Sequence, residues 1–600
     1  MNDLQKAYIY IWKNEKNWLI FSILNNIIRG IFPALTVWIT ERLINSITLL
    51  IQEKSGNYLI PLFWLCIQFM LMVLTSLTQK SQEYMDRKSE EKLELSLQEN
   101  ILRKTTSVPL SYFDIPEFYN KLTRTNSNLG GKFLSPLRNV MSIVKDFITI
   151  SSLIIYLFSI HWSLSVISLC AAIPILLIEA QLGKQQYLLF HDQTPLSREI
   201  YYITFILKQR NFSKEIRIFS LGDYFIKKWV NRRTKILKES LSLLRKNQIF
   251  SVSLDAFSAL FYFLASFIII YLIQNNSLTI GQFVAVGGAV QGAQTAINNI
   301  AKSMADLKRE SLYIGDYFSF MNYNHPSVLD YKGANPFPSV LNTGISFDKV
   351  SFNYMNSSKQ VLKDISLHIS PGEKVAIVGE NGSGKTTFVK CLMGLYPTTT
   401  GAIYFDDLNI NEISKEDLFK HITVLFQDYI KYSYTAKDNI YFGNVLKEEN
   451  LNDIKDVAQK ADSHEFIEKL DKGYDTFLGK AISEGEDLSG GQWQKIALAR
   501  SLYRDSEIFI LDEPTAALDP RAELEIFKKF EEITKNKTTI YISHRMASAK
   551  IADRIIVFKQ GEIIETGTHD ELMSLEKEYY RLYTMQSDWY NSKKNEKSLV

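Results

Sequence analysis

The sequence predicts two domains of different fold class: an N-terminal all-α domain that crosses a membrane, followed by a C-terminal α/β domain. The first half of the chain contains apolar runs as long as a membrane-spanning helix. After about residue 344, short apolar strands alternate with helical stretches and glycine-containing loops. A chain of 600 residues is also too long for one compact core.

Six apolar runs predict six transmembrane helices, because each is close to the roughly 20 residues that a bilayer requires. The first run follows Lys13 and Lys16 and lacks the small-residue cleavage site of a signal peptide, so we expect it to be retained. A large soluble helical core also produces apolar runs, but six of this length favour a membrane domain. The runs are residues 17–40, 57–78, 141–160, 163–182, 253–273 and 278–300.

Positive charges between the runs predict their orientation. The long segments after the second and fourth runs are rich in Lys and Arg, whereas the short connections 161–162 and 274–277 contain neither. Because Lys and Arg concentrate on the cytoplasmic side, we expect both termini, both long loops and the α/β domain to be cytoplasmic. Helical periodicity in the loops predicts helices that continue beyond the bilayer. Short helices at the loop tips, near 111–126 and 211–217, would touch another domain; solvated hairpins are the alternative.

Composition marks the domain boundaries and narrows the classes of partner. We expect a membrane domain over residues 1–322, a linker rich in Pro, Gly and Asn over 323–343, the α/β domain over 344–585 and a polar tail over 586–600. A net charge of +3 is nearly neutral for this length and gives no basis for a nucleic-acid partner. The three cysteines are scattered without a CxxC pair, which favours structural thiols over redox or metal use.

A phosphate-binding loop follows the short apolar strand at residues 374–378. The loop matches the pattern GxxxxGK[ST] in the required strand–loop–helix order. Its glycines let backbone N–H groups approach phosphates, and the following helix N-terminus adds partial positive charge. We expect Lys385 to reach the β- and γ-phosphates of ATP, and Thr386 to supply an oxygen to Mg²⁺. The predicted ATP-binding residues here are Gly379, Glu380, Asn381, Gly382, Ser383, Gly384, Lys385, Thr386 and Thr387.

A second apolar strand, residues 508–511, ends in two acids. Its uniformly apolar character is typical of a buried parallel strand. Asp512 is placed to hold Mg²⁺, and Glu513 is the candidate for polarising the attacking water. Two acids at a strand end could also serve solubility alone. Together with the phosphate-binding loop, the pair predicts a P-loop ATPase domain.

Between these two elements lies the pentapeptide LSGGQ, residues 488–492. It precedes a helix and offers a second anion-binding end made by Ser489, Gly490, Gly491 and Gln492. The phosphates of the domain's own nucleotide already lie on the first loop. The second end therefore makes sense if it closes on a nucleotide held by another copy. This arrangement resembles the ATP-binding cassette (ABC) proteins.

The resemblance to ABC proteins implies roles for four further residues. Gln427 resembles the glutamine that contacts Mg²⁺ and the attacking water, and His544 the histidine that touches the γ-phosphate. Asp519, in Ala-Leu-Asp, resembles the loop that couples the two sites of a dimer. Tyr354 stands where the family stacks an aromatic ring on adenine. Each position carries the residue usual in the family, which implies two equivalent ATP sites.

Six runs followed by one ATPase domain resemble half of an ABC exporter, which implies a homodimer in the cytoplasmic membrane that transports a substrate outward. Residues 113–122, 214–217, 424–428 and 488–500 are similar to the lantibiotic exporters. That likeness implies a modified peptide still bearing its leader as substrate, with lanthionine-forming enzymes as partners. Exporters or flippases of drugs or lipids share the same ATP-site residues and remain an alternative. Soluble ABC ATPases of DNA repair or translation lack such runs, and sensor or immunity complexes are a third class.

Two further expectations concern the substrate. Gln291, Gln294 and Asn298 fall at i, i+3 and i+7 in the sixth run, and polar residues at membrane depth normally face a bundle interior or water. This face is a candidate wall of the substrate cavity, as is Arg29 in the first run; hydrogen bonding between helices and snorkelling are the alternatives. The first cysteine is Cys66, so we do not expect an N-terminal cysteine protease. We expect the leader to be removed by another protein.

Overall fold

A computed structural model describes residues 3–52, 57–125, 129–166, 189, 192–193, 195–274, 279–324, 333–355, 357, 359–480, 485–512, 532, 534–543 and 549–586. The chain forms two compact units. The first consists of Met1–Ser107 and Glu117–Tyr323, and the second of Val108–Pro116 and Asn324–Val600. The tip of the first long loop therefore belongs to the second unit.

The described residues of the first unit form helices and the turns between them, without a strand, which confirms the predicted all-α class. Its helix α3 has 49 residues, or about 74 Å at 1.5 Å per residue, against a hydrocarbon layer of about 30 Å. Helices therefore extend well beyond a bilayer, as the loop periodicity predicted. The helices are α1 (Asp3–Asn14), α2 (Lys16–Gln52), α3 (Leu59–Ser107), α4 (Pro116–Thr125), α5 (Leu129–Ile160), α6 (Arg210–Ile218), α7 (Gly222–Gln274) and α8 (Ile280–Met321).

Three of the described helices, α2, α3 and α5, are long and apolar enough to cross a membrane. They contain the first and third predicted runs and all but the first two residues of the second. Most of the fourth run, residues 167–182, lies outside the described residues. The fifth and sixth runs lie on α7 and α8, which do not meet the same criterion over their described residues. The count of six spans thus stays a prediction.

A buried polar network fixes α2 against α3. Trp18 Nε1 donates to Asp86 Oδ1 at 2.7 Å, and Gln82 Nε2 donates to the same carboxylate oxygen at 2.8 Å. Gln82 Nε2 also donates to Ser22 Oγ at 2.7 Å, and its Oε1 accepts from Asn25 Nδ2 at 2.9 Å. Because buried polar groups without partners are costly, a slip between the two helices would break several of these bonds together.

The crossing of α2 and α5 depends on a glycine. Thr149 Oγ1 donates to Gly30 O at 2.9 Å, so the two helix backbones lie close together. A Cβ added at Gly30 would lie 2.9 Å from Lys145 O and 3.0 Å from Ile148 Cβ. Small residues at such crossings are typical of membrane helices, where packing rather than hydrophobic burial drives association.

Gly30→Ala is therefore expected to destabilise the membrane domain by about 1–3 kcal/mol, because the backbone of α5 must move to admit the methyl group. The matched control is Gly288→Ala on α8, where the nearest atom to an added Cβ is Val37 Cγ2 at 3.7 Å, an ordinary contact. Thermal unfolding of both variants in detergent measures the difference. Equal melting temperatures would contradict the close crossing.

The second unit contains two sheets, which confirms the α/β class. The larger sheet has the order β10–β9–β3–β8–β7–β6, parallel except for its edge strand β10. The smaller antiparallel sheet has the order β2–β1–β4–β5. The strands are β1 (Ile345–Asn353), β2 (Gln360–Ile369), β3 (Lys374–Gly379), β4 (Thr400–Phe405), β5 (Leu408–Asn409), β6 (Ile422–Leu425), β7 (Ile508–Asp512), β8 (Thr538–Ile542), β9 (Arg554–Lys559) and β10 (Glu562–Gly567).

Helices connect and cover these strands. Every residue of β7 and β8 is buried, as expected for central parallel strands covered on both faces. The carboxyl ends of parallel strands meet at one edge of a sheet, which is where such folds place their ligands. The helices are α9 (Lys385–Leu392), α10 (Lys415–His421), α11 (Ala436–Tyr441), α12 (Leu451–Lys460), α13 (His464–Glu468), α14 (Gly490–Tyr503) and α15 (His569–Ser574).

Candidate nucleotide site

The glycine-rich loop connects the carboxyl end of β3 to the first turn of α9. Gly384 caps this helix with a φ of +108°, and Gly379 ends the strand with a φ of +148°. A Cβ at Gly379 would lie 2.2 Å from Phe558 O. Both positions therefore need glycine for backbone conformation, and the turn at Gly379 needs it for space as well.

Lys385 stabilises the conformation of the loop by hydrogen bonds to its backbone. Its side chain is buried, and Nζ donates to Gly379 O at 2.8 Å and to Glu380 O at 2.9 Å. The ammonium group therefore lies beneath the loop, close to the N-terminus of α9. Positive charge from both sources makes this a site for an anion.

Two features of the loop fit a bound triphosphate. Ser383 Oγ is buried and has no hydrogen-bond partner among the described residues, although buried hydroxyl groups are normally paired. An added Cβ at Gly382 would meet no atom within 4 Å, so one side of the loop is open. An anion seated in the loop would give the orphaned hydroxyl an acceptor.

A cavity of about 920 Å³ lies over the loop, within the volume range of small-molecule sites. Tyr354, Thr386 and Gln427, which are far apart in sequence, all line it. Thr386 and Gln427 are exposed to the cavity, and their hydroxyl and amide oxygens are ligands that suit Mg²⁺. The wall residues are Tyr354, Val361, Gly379, Glu380, Asn381, Gly382, Gly384, Lys385, Thr386, Thr387, Gln427, Leu582 and Gln586.

Tyr354 is held in place by its neighbours. Its hydroxyl lies 2.9 Å from Thr387 Oγ1, in the first turn of α9. Its ring packs edge-on against Phe352 and Tyr396, with ring centroids 5.0 Å and 5.5 Å away. The half-buried ring is thus fixed at the cavity wall, where an aromatic face is available to a base.

Asp512 ends β7 and is buried at the same edge of the sheet as the loop. It pairs with Ile542 of β8, and β8 lies directly beside β3. The carboxylate therefore lies two strands away from the strand that carries the loop. Glu513, Asp519 and His544 lie outside the described residues, so their predicted roles stay proposals.

The LSGGQ residues form the N-terminus of α14. Ser489 Oγ accepts from Gln492 N at 3.2 Å, and Gln492 Oε1 accepts from Ser489 N at 2.9 Å, which makes a reciprocal capping box. An added Cβ at Gly490 would meet nothing within 4 Å. None of Ser489, Gly490, Gly491 and Gln492 lines the cavity over the phosphate loop of the same chain.

Comparison with known proteins identifies the family. Residues 362–516 match the family described as ABC transporter, and residues 19–288 match the ABC transporter transmembrane region. The chain is 32% identical over 581 residues to the subtilin transport ATP-binding protein of Bacillus subtilis, covering 96% of this chain and 92% of that protein. This chain belongs to the ABC transporters.

Other relatives of the transporter are named for different transported molecules. The nisin transport ATP-binding protein of Lactococcus lactis subsp. lactis is 32% identical over 580 residues, covering 96% of this chain and 94% of that protein. An ATP-dependent lipid A-core flippase of Methylobacillus flagellatus is 26% identical over 570 residues, covering 91% of each chain. A bacterial Atm1-family ABC exporter with ATP bound has a TM-score of 0.80 at 20% identity, covering 95% of this chain and 98% of that one.

These findings confirm the predicted fusion of a membrane domain with an ATPase domain. The transporter is a multi-pass membrane protein, and its C-terminal domain hydrolyses ATP to drive transport. The tip of its first long loop, predicted to be helical, forms a 3₁₀ turn over Leu110–Asp114 followed by α4. The second predicted tip helix is α6.

The loop tip makes a defined contact within the ATPase unit. Tyr396 OH donates to Asp114 Oδ2 at 2.7 Å. Burial raises the pKa of Tyr396, and the hydrogen bond to Asp114 raises it further, so the hydroxyl stays protonated and donates. Because the ring of Tyr396 packs on Tyr354, two contacts connect the loop tip to the nucleotide cavity.

The candidate substrate residues lie on one side of α8. Gln291 and Asn298 are exposed and Gln294 is half-buried, whereas Ala289, Val290, Ala293, Ala296 and Ile297 on the other side are buried. The exposed Gln291 and Asn298 therefore lie on the side of α8 opposite its buried residues. Arg29 is half-buried on α2. Both placements are compatible with a cavity and with contacts to a second copy.

Three residues that line the nucleotide cavity were not predicted from the sequence. Val361 follows the first residue of β2, and Leu582 and Gln586 lie on a helix over residues 578–586. Gln586, with which the predicted polar tail begins, is the last described residue of this helix. The i, i+4 spacing of Leu582 and Gln586 is that of any amphipathic helix, so no local signal in the sequence marks these residues as part of a cavity.

Proposed function

We propose that this transporter exports a lantibiotic-type modified peptide, with its leader attached, across the cytoplasmic membrane as a homodimer with two ATP sites. The observation that carries the proposal is end-to-end similarity to the subtilin and nisin transport proteins, at 32% identity over 96% of the chain in both cases. The flippase relative matches over 91% of the chain and shares 26% identity. Lanthionine-forming enzymes are the proposed partners, because they make the substrate.

The nucleotide site supports direct hydrolysis by an activated water. Lys385 and the backbone N–H groups of the loop would bind the β- and γ-phosphates, and Tyr354 would stack on adenine. Thr386, Gln427 and Asp512 would hold Mg²⁺, which neutralises charge on the phosphate oxygens. Glu513 would accept the proton of the attacking water, oriented by Gln427 and His544.

The second copy would complete each site. Ser489 and the N-terminus of α14 supply hydrogen-bond donors but lie outside the cavity of their own chain. Facing the γ-phosphate of a partner's nucleotide, these donors would close two ATP molecules between the domains, and Asp519 would contact the opposite site. ATP binding would thus favour the closed dimer, and hydrolysis would release it.

The path of the substrate would follow the polar face of α8. Gln291, Gln294 and Asn298 would line it, and Arg29 on α2 is a further candidate. The excess of Lys and Arg in the long loops supports a cytoplasmic position for both termini. Replacing both Gln291 and Gln294 with Leu is expected to reduce peptide export. Unchanged export at normal expression would contradict the proposal that this face of α8 lines the substrate path.

A second candidate function is the flipping or export of a lipid or hydrophobic drug. The observation that favours it is the match to lipid A-core flippases along 91% of the chain. Exporters of both kinds share the same ATP-site residues, so these residues do not distinguish the two functions. The two functions differ in the molecule that is transported, and the molecule that stimulates hydrolysis distinguishes them.

ATPase activity in proteoliposomes, titrated with a leader-bearing modified peptide, tests the proposal. We expect saturable stimulation by the peptide and none by hydrophobic dyes, because a dedicated exporter binds its own substrate in the state that precedes dimer closure. The leader alone and the mature peptide serve as matched ligands. Stimulation by lipids or dyes alone would assign the transporter to the second candidate function.

A further inference from the structure

The helix over residues 578–586 is anchored firmly at its N-terminal end. Glu565 is buried, and its two carboxylate oxygens accept from Glu578 N at 2.7 Å and Tyr579 N at 3.1 Å. This carboxylate satisfies N–H groups of the first turn and complements the positive end of the helix dipole. Tyr579 is fully buried and its hydroxyl lies 2.9 Å from His569 Nδ1.

The same first turn packs on the strand that carries the phosphate loop. Tyr579 belongs to one buried apolar cluster with Ala376 and Val378 of β3. The helix therefore has a fixed position relative to β3 and to the loop that follows it. Its later turns project toward the nucleotide cavity from that anchor.

One ion pair and two cavity contacts join these later turns to the site. Arg581 Nη2 lies 2.6 Å from Glu380 Oε1, the second residue of the loop, and 2.6 Å from Glu578 Oε1 of its own helix. Leu582 and Gln586, one helical turn apart on the same face, line the cavity together with the phosphate loop and Tyr354.

We infer that Leu582 and Gln586 contact the bound nucleotide, and that Arg581 positions them through Glu380. Leu582 offers an apolar surface, and the Gln586 amide offers both a donor and an acceptor. A nucleotide has apolar base and ribose surfaces beside polar edges, so the two side chains match its chemistry. The inference rests on nucleotide binding in this cavity, and it adds a wall that comes from the C-terminal end of the ATPase domain.

The contacts are expected to act on binding and not on the chemical step. Interactions present equally in the ground state and the transition state change KM and leave kcat unaltered. Losing one such contact is expected to weaken binding about 3- to 10-fold. Arg581→Ala is expected to have a smaller effect, about threefold or less, because exposed ion pairs contribute little.

The test uses Leu582→Ala, Gln586→Ala and Arg581→Ala in the full-length transporter, with Lys577→Ala at an exposed position just before the helix as the matched control. The dissociation constant for the non-hydrolysable analogue AMP-PNP with Mg²⁺ and the kcat and KM for ATP are measured for each. The melting temperature without nucleotide is measured in parallel. We expect a higher Kd and KM for the two cavity variants, an unaltered kcat, and wild-type values for Lys577→Ala.

Wild-type Kd and KM in both cavity variants, or a fall in kcat at constant KM, would overturn the inference. If Leu582→Ala melts early without nucleotide, Gln586→Ala decides alone, because Gln586 is not part of the buried cluster and its truncation leaves that cluster intact. Lys385→Ala separates this question from the identity of the site. If that variant binds AMP-PNP as the wild type does, nucleotide binding in the cavity itself is wrong.

Discussion

Glu513→Gln is expected to stop turnover while leaving ATP binding intact. The substitution keeps the size of the side chain and removes the carboxylate that would take a proton from the attacking water. General-base catalysis typically contributes about 10²–10⁴-fold to the rate, so kcat should fall by at least about a hundredfold. Lys385, Tyr354 and the loop that would bind the nucleotide are unaltered, so the Kd for ATP should stay near the wild-type value.

The Glu513→Gln variant is expected to accumulate as a closed dimer with two ATP molecules bound. Without hydrolysis, the state favoured by ATP accumulates, and it should appear as nucleotide that stays bound through gel filtration. Lys385→Ala is the contrasting variant: it should lose binding and turnover together, because the buried ammonium that shapes the loop is gone. Hydrolysis at the wild-type rate by Glu513→Gln would exclude Glu513 as the base.

Local structure that depends on contiguous residues could be predicted from the sequence. The phosphate loop is such a case: nine adjacent residues specify its turn and helix cap, and the structure has the strand–loop–helix order that the pattern requires, with Gly379 and Gly384 at positive φ. LSGGQ likewise forms a helix N-terminus through its own Ser489 and Gln492. Local chemistry of this kind is legible in one sequence because no distant residue is needed to define it.

Contacts between distant segments could not be predicted in the same way. Arg581 reaches Glu380 across 201 residues, and Tyr396 reaches Asp114 across 282 residues. Each side chain alone is an ordinary surface charge or core aromatic, and only the folded chain brings the partners together. Hydropathy shows a related limit in the membrane domain: it finds apolar runs, but it does not predict that Gln82, just beyond the second run, bonds Ser22 and Asn25 of α2.

Asp114→Ala is expected to uncouple substrate from hydrolysis. Asp114 lies in the loop tip that is continuous in the chain with α3 and α4, and it accepts a hydrogen bond of 2.7 Å from Tyr396. Tyr396 packs on Tyr354, which bonds Thr387 in the phosphate-binding helix. Hydrogen bonds to charged groups are stronger than neutral ones, and coupling between sites is typically about 5- to 150-fold. We expect stimulation of ATPase activity by the peptide to fall about tenfold.

The rate of ATP hydrolysis without peptide distinguishes uncoupling from damage to the nucleotide site. Asp114 does not line the nucleotide cavity, so Asp114→Ala should hydrolyse ATP at the wild-type rate without peptide. Tyr396→Phe removes the same bond from its other end and should give the same loss of stimulation. Glu117→Ala is the matched control, since its exposed carboxylate pairs with Lys121 on its own helix. Full stimulation in both bond-breaking variants would mean that the signal reaches the ATP site by a route other than the hydrogen bond between Asp114 and Tyr396.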